Sequence, residues 1–102
     1  MRLTAEQRHI IQTAVNSHFG TDCELWLFGS RVDDNRKGGD IDLYIEIDDM
    51  DASDLVDHRL ALLRDLHRAL GEQKIDLVIK RASRGVELPI YQIVRETGVR
   101  LQ

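Results

Sequence analysis

Asp40 and Asp42 stand two residues apart in a stretch that alternates strictly from Asp40 to Ile47. Ile41, Leu43, Ile45 and Ile47 fall on one side, and Asp40, Asp42, Tyr44 and Glu46 on the other. On a strand that spacing points both carboxylates the same way, so their oxygens converge on one site. Asp76 holds the equivalent position in a second alternating stretch, Lys74 to Lys80. If the two strands are neighbours, three carboxylates gather within a few ångströms. Bare, they repel and raise one another's pKa; a hard divalent cation that prefers oxygen removes that cost, and magnesium is the natural candidate. Zinc is disfavoured, because His9, His18, His58 and His67 show no metal-ligand spacing and Cys23 is the single cysteine. Gly29 and Ser30 close the apolar stretch that precedes Asp40, supplying a close backbone approach and a hydroxyl. A short helix starting there would add free amides as a phosphate cradle. Phosphates beside a triple-carboxylate metal site imply phosphoryl or nucleotidyl transfer.

The elements that must position these groups follow from caps and periodicity. Thr4 and Gln7 have the form of a capping box, and Ile11, Ala14, Val15 and His18 recur at helical spacing, predicting a helix from about Thr4 to His18. Gly20 stops it, and Cys23 to Phe28 reads as a short apolar strand. A polar loop, about Arg31 to Gly39, leads to the strand Asp40–Ile47. Asp51 can cap a second helix, Ala52 to Leu70. Its stripe of Val56, Leu60, Leu63 and Leu70 is widened by Leu55, Leu62 and Leu66, and Gly71 ends it. The strand Lys74–Lys80 follows. Pro89 suits the first turn of a last helix with Ile90, Ile93 and Val94 on one side, stopping near Gly98. Helix, strand, strand, helix, strand, helix without repeat or linker predicts an α+β (mixed α/β) domain: a small mixed sheet with the helices on one face. The aspartate-bearing face is then open to solvent.

One hundred and two residues make a single domain, 1–102, with no room for a second core. Hydrophobic residues at 42% and charged residues at 31% exclude a disordered tail, and no apolar run approaches the length of a membrane span. Charges at Arg2, Glu6 and Arg8 interrupt any signal-like segment, so the expected location is the cytoplasm. A net charge of −4 argues against direct nucleic-acid binding. Eight of the twelve aspartates fall between Asp33 and Asp54, which concentrates acidity around the candidate site.

The run Leu27-Phe28-Gly29-Ser30-Arg31, the nine residues separating Ser30 from Asp40, and Asp40-Ile41-Asp42-Leu43-Tyr44-Ile45 resemble the minimal nucleotidyltransferases (the MNT group) of the DNA polymerase beta superfamily. That signature is Gly-Ser, a short loop, Asp-x-Asp, and a third carboxylate on a later strand, which Asp76 in Ile75-Asp76-Leu77-Val78 matches. The resemblance implies a polymerase beta palm-like fold. It implies Asp40, Asp42 and Asp76 as catalytic residues and ligands of two magnesium ions, with ATP as co-substrate. Gly29, Ser30 and Arg31 would bind the nucleotide, and Arg36 or Lys37 would offer further charge. The minimal members are commonly antitoxins, so it further implies AMP transfer from ATP to a tyrosine hydroxyl of a HEPN-type helical toxin, within a hetero-oligomer. The alternatives from other classes are a non-catalytic module that neutralises its partner by contact, and transfer to a small-molecule hydroxyl.

Other features have simpler expectations. Asp33 to Gly38 sets Asp, Asn and Gly at relative positions one, three and six of a calcium loop, but Lys37 and Tyr44 occupy its fifth and twelfth ligand positions. A loop over the nucleotide is expected instead. Asp48, Asp49, Asp51 and Asp54 favour a helix N-terminus. His18 and His67 are expected as packed, hydrogen-bonded histidines, Cys23 as a small buried hydrophobe and Trp26 as core. Tyr44 and Glu46 share the aspartates' face, as substrate border or as solvated surface.

Overall fold

Strict alternation predicts a strand with one apolar face over Asp40–Ile47, and the structure, a computed structural model that describes residues 3–29, 40–71, 73–82 and 88–102, puts that strand inside a four-stranded sheet. In chain order the elements are α1 (Ala5–Phe19), β1 (Glu24–Phe28), β2 (Ile41–Ile47), α2 (Ala52–Leu70), β3 (Ile75–Arg81), α3 (Pro89–Thr97) and β4 (Val99–Arg100). The sheet order is β3-β2-β1-β4. β1 runs antiparallel to β2 and to β4, while β2 and β3 are parallel. This is the mixed sheet and α+β architecture that the element order predicts, with β4 added as a two-residue strand too short to show a period.

The helix ends obey local chemistry. Thr4 Oγ1 accepts from the Gln7 amide and Gln7 Oε1 accepts from the Thr4 amide, each at 3.0 Å, so the capping box forms as predicted. α2 begins after Asp51, whose side chain makes no capping bond, and Pro89 opens α3.

The main core lies between one face of the sheet and the two long helices. Ile11 and Val15 of α1 and Leu62 and Leu66 of α2 are fully buried against Leu25, Leu27, Ile41, Leu43 and Ile45. Each such side chain contributes about 1.5–3 kcal/mol on burial. The stripe of α2 is rotated from the expected one: Leu62 and Leu66 carry it, whereas Val56 and Leu60 point to solvent. Apolar residues extend around much of this helix, so periodicity alone leaves the buried half undetermined.

The third helix departs from the expectation of helices on one face only. α1 and α2 share the Leu43 face, but α3 packs across the other, where Tyr44 and Tyr91 have ring centroids 5.8 Å apart and Arg95 reaches Tyr44 and Glu46. Val94 of α3 is fully buried there. The helix end also runs tight against β1, since a Cβ on Gly98 would come within 2.9 Å of the Leu27 carbonyl oxygen. Trp26 is likewise not core. It pairs with Tyr44 in register, is half-buried on that same face, and has the Arg100 guanidinium 5.9 Å from its ring.

Candidate active site

Register alone assembles the carboxylates. In the parallel β2–β3 ladder Asp42 lies opposite Asp76, and in the antiparallel β1–β2 ladder it lies opposite Phe28, the residue before Gly29. Asp40 immediately precedes β2, where the Ile41 amide donates to the Lys74 carbonyl at 3.0 Å and fixes the start of both strands. Asp40, Asp42 and Asp76 thereby each offer a carboxylate oxygen within 4.8 Å of the others. Asp40 and Asp42 are half-buried and Asp76 is exposed, so the group sits at the open end of the sheet, on the face away from α1 and α2.

Electrostatics shows what this cluster lacks. Burial pushes the Asp42 carboxyl up to about 6 from an ordinary 3.8. The hydrogen bond with Asp76 and the negative charges of Asp76 and Asp40 add to the rise, and Lys74 opposes it. The cation that the described residues bring here is Lys74, whose Nζ lies 3.5 Å from Asp40 Oδ2 while the side chain stays 69% exposed. One screened ammonium does not balance three carboxylates. An all-oxygen donor set with an excess of negative charge fits a hard divalent cation such as magnesium, and offers no nitrogen or thiolate that would favour zinc.

Gly29 is explained by the same geometry. Its φ is +76°, and a Cβ there would collide with the Asp42 carboxylate oxygen Oδ2. Glycine at this turn is thus required both by the left-handed backbone and by the approach of the carboxylate. Ser30, Arg31, Arg36 and Lys37 lie outside the described residues, as does the run Asp33 to Gly38.

Other charged and aromatic groups fall into structural roles. Two residues beyond Asp42 on the same face, Tyr44 is fully buried rather than solvated, and its hydroxyl donates to Glu46 Oε2 at 3.0 Å. Burial and that bond hold its ionisation above the ordinary tyrosine range. Glu46 is met by Arg95 at 3.1 Å and by Lys80 at 3.8 Å, and Lys80 also lies 5.5 Å from the Tyr91 ring centroid. His18 is packed as expected, its Nε2 2.7 Å from Asp65 Oδ2, and the bond holds Asp65 below the usual carboxylate range. His67 is exposed, not packed. Cys23 is buried and donates to the Gly20 carbonyl; burial pushes its thiol up, away from reactivity.

Reasoning from sequence missed Lys74 as a neighbour of the site. The signal was available, since Lys74 stands two residues before Asp76 and so projects to the same side of the chain. The cluster of Lys80, Glu46 and Arg95 was missed for want of any clue that α3 crosses this face.

A family model described as a nucleotidyltransferase domain matches residues 9–99 of the chain. Its span takes in Gly29, all three aspartates and every strand except the last residue of β4. No curated protein sequence matches the chain. Among the described residues no helix is long and apolar enough to cross a membrane.

Proposed function

The chain belongs to the nucleotidyltransferase domain family, and from that premise we propose that it is a minimal, single-domain member that transfers AMP from ATP to a tyrosine hydroxyl of a HEPN-type toxin. Nucleotidyl transfer is what the family performs, generally with a nucleoside triphosphate and a divalent metal. The supporting observation is the convergence of three carboxylates within 4.8 Å beside a glycine that leaves room for them.

Asp40, Asp42 and Asp76 would hold two magnesium ions. When bound, magnesium neutralises the triphosphate, acidifies the acceptor hydroxyl and offsets charge on the departing pyrophosphate. The residues of the chain do the rest. Gly29 keeps the backbone clear for phosphate approach, and Ser30 and Arg31 steady the β- and γ-phosphates. Asp76, the exposed carboxylate, favours transfer of the acceptor proton to solvent as the tyrosine oxygen attacks the α-phosphorus. The new O–P bond forms as the bond to the β-phosphate oxygen breaks, and pyrophosphate leaves. Leu88, which precedes the helix on the aspartates' side of the sheet, and Ile93 within that helix are 46% and 50% exposed and provide apolar contact area for a protein acceptor in a hetero-oligomer.

The test is to incubate the protein with native-host lysate, magnesium and ATP labelled on the α-phosphate, with γ-labelled ATP and Asp42→Asn in parallel. A protein band labelled only from the α-position, and only by wild type, is expected, and its mass identifies the acceptor. Capture of a partner without label overturns the chemical reading in favour of neutralisation by contact.

A further inference from the structure

α2 is a 19-residue helix of which the core uses one side. Leu62 and Leu66 are fully buried, yet Val56 and Leu60, one turn apart on the other side, are 54% and 61% exposed. Arg59 and Asp65 are engaged by the Leu77 carbonyl and by His18, and the remaining charges around that apolar pair are sorted by sign. Asp54 and Asp57 lie toward the helix start, Arg64 and Arg68 toward its end. Among the described residues, no hydrogen bond or ion pair engages Asp54, Asp57 or Arg68, and Arg64, 58% exposed, makes a 3.4 Å contact with its own neighbour Asp65.

Such a face is complementary to itself. We propose that it is the contact between two copies of this chain, packed antiparallel about a two-fold axis passing close to Leu60. Reversal about a point between Leu60 and Ala61, close to the centre of α2, brings Asp57 level with the partner's Arg64 and Asp54 within one residue of the partner's Arg68. At about 100° per residue Asp57 and Arg64 lie on the same flank of Leu60, roughly 60° and 40° from it, so this pair meets rather than crosses, while Asp54 and Arg68 lie further round, at the rim. Each pair occurs twice, with Leu60 of the two copies meeting near the axis and Val56 to either side, as an isologous interface requires. A uniformly acidic or basic partner would satisfy one half of the face and repel the other. The two helix dipoles also oppose. Because α2 lies under the Leu43 face, both carboxylate clusters stay outward and open in the dimer, so this contact is independent of the chemistry proposed above. A one-helix contact is at the low end of interface size, so association is expected to be weak and concentration-dependent.

Sedimentation equilibrium of the full chain over a range from micromolar to about 1 mM tests this, with circular dichroism to confirm that each variant is folded. Wild type is expected to pass from monomer to dimer with concentration. Asp57→Arg or Arg64→Asp alone should weaken association about tenfold or more, Leu60→Glu should abolish it, and the exchanged pair Asp57→Arg with Arg64→Asp should restore it. A wild type that stays monomeric, including one that instead engages a different protein through α2, overturns the proposal. So does a dimer indifferent to Leu60→Glu, or an exchange no better than the single reversals.

Discussion

Asp42 and Glu46 lie on one strand, four residues apart and on the same face, and their surroundings differ in kind. Glu46 is surrounded by compensation: the Tyr44 hydroxyl at 3.0 Å, Arg95 at 3.1 Å and Lys80 at 3.8 Å, all beneath or beside α3. Asp42 faces two further carboxylates, and its carboxyl is driven up to about 6. A half-buried acid whose partners match its charge is part of the fold's construction. One whose neighbours share its sign holds free energy that a cation or a substrate can release. Both are carboxylic acids with the same strand parity, so neighbours alone separate the compensated acid from the uncompensated one.

The largest effect that tests this contrast is on catalysis. Asp42→Asn should lower nucleotidyl transfer by about a thousandfold or more, the scale of a lost charge-stabilising group, while leaving the fold intact. Glu46→Gln should do the reverse, keeping transfer measurable and costing about 2 kcal/mol of stability as Arg95 and Lys80 each lose a charged partner. Label transfer and urea unfolding on the same two variants check both halves. If Glu46→Gln proved as inactive as Asp42→Asn, the division of the face would be wrong.

Next in size is Gly29→Ala. The methyl group needs the space that the Asp42 carboxylate holds, at a backbone φ of +76° that alanine adopts at a cost of about 1 kcal/mol. Displacement of a catalytic carboxylate by an ångström lowers rate about a hundredfold, so activity should fall far more than the unfolding midpoint. Alanine at Gly71, where φ is +81° and a Cβ meets nothing within 4 Å, supplies the control that carries the strain without the collision.

The unequal legibility of these regions has the same physical root. That Asp40, Asp42 and Asp76 share a face was readable because strand parity needs only sequence, while the pairing of β2 with β3 and the register that sets Asp42 opposite Asp76 come from the structure. The capping box at Thr4 is local and was equally plain. The site of α3 was not legible. Ile90, Ile93 and Val94 mark an apolar side but do not say which layer receives it, and the structure turns Val94 onto the Tyr44 face while Ile93 stays 50% exposed. Tyr44, which reads as substrate border or as solvated surface, is buried, and Trp26, which in an apolar run reads as core, is not. Long-range packing decides such residues, and periodicity carries no information about it.

The smallest effect is also the most direct measure of the charge imbalance. In metal-free protein Asp42 binds its proton more tightly when folded, at about 6, than at its ordinary 3.8. Between those values the folded state holds more protons than the unfolded one, so this group makes stability fall as pH rises from about 4 to about 6. Above that range its full cost is present, and below it none. Asp42→Asn removes the group. The variant should therefore be more stable than wild type at pH 7 in EDTA, with the difference shrinking toward pH 4. Magnesium should raise the wild-type melting temperature at pH 7 by satisfying the same carboxylates and leave the variant nearly unmoved. A fold stabilised by deleting its central acid, and a metal effect that disappears with it, is what an uncompensated site predicts. For Glu46→Gln, whose acid is already matched, metal-free stability at pH 7 should fall, and equal behaviour of the two variants would remove the distinction.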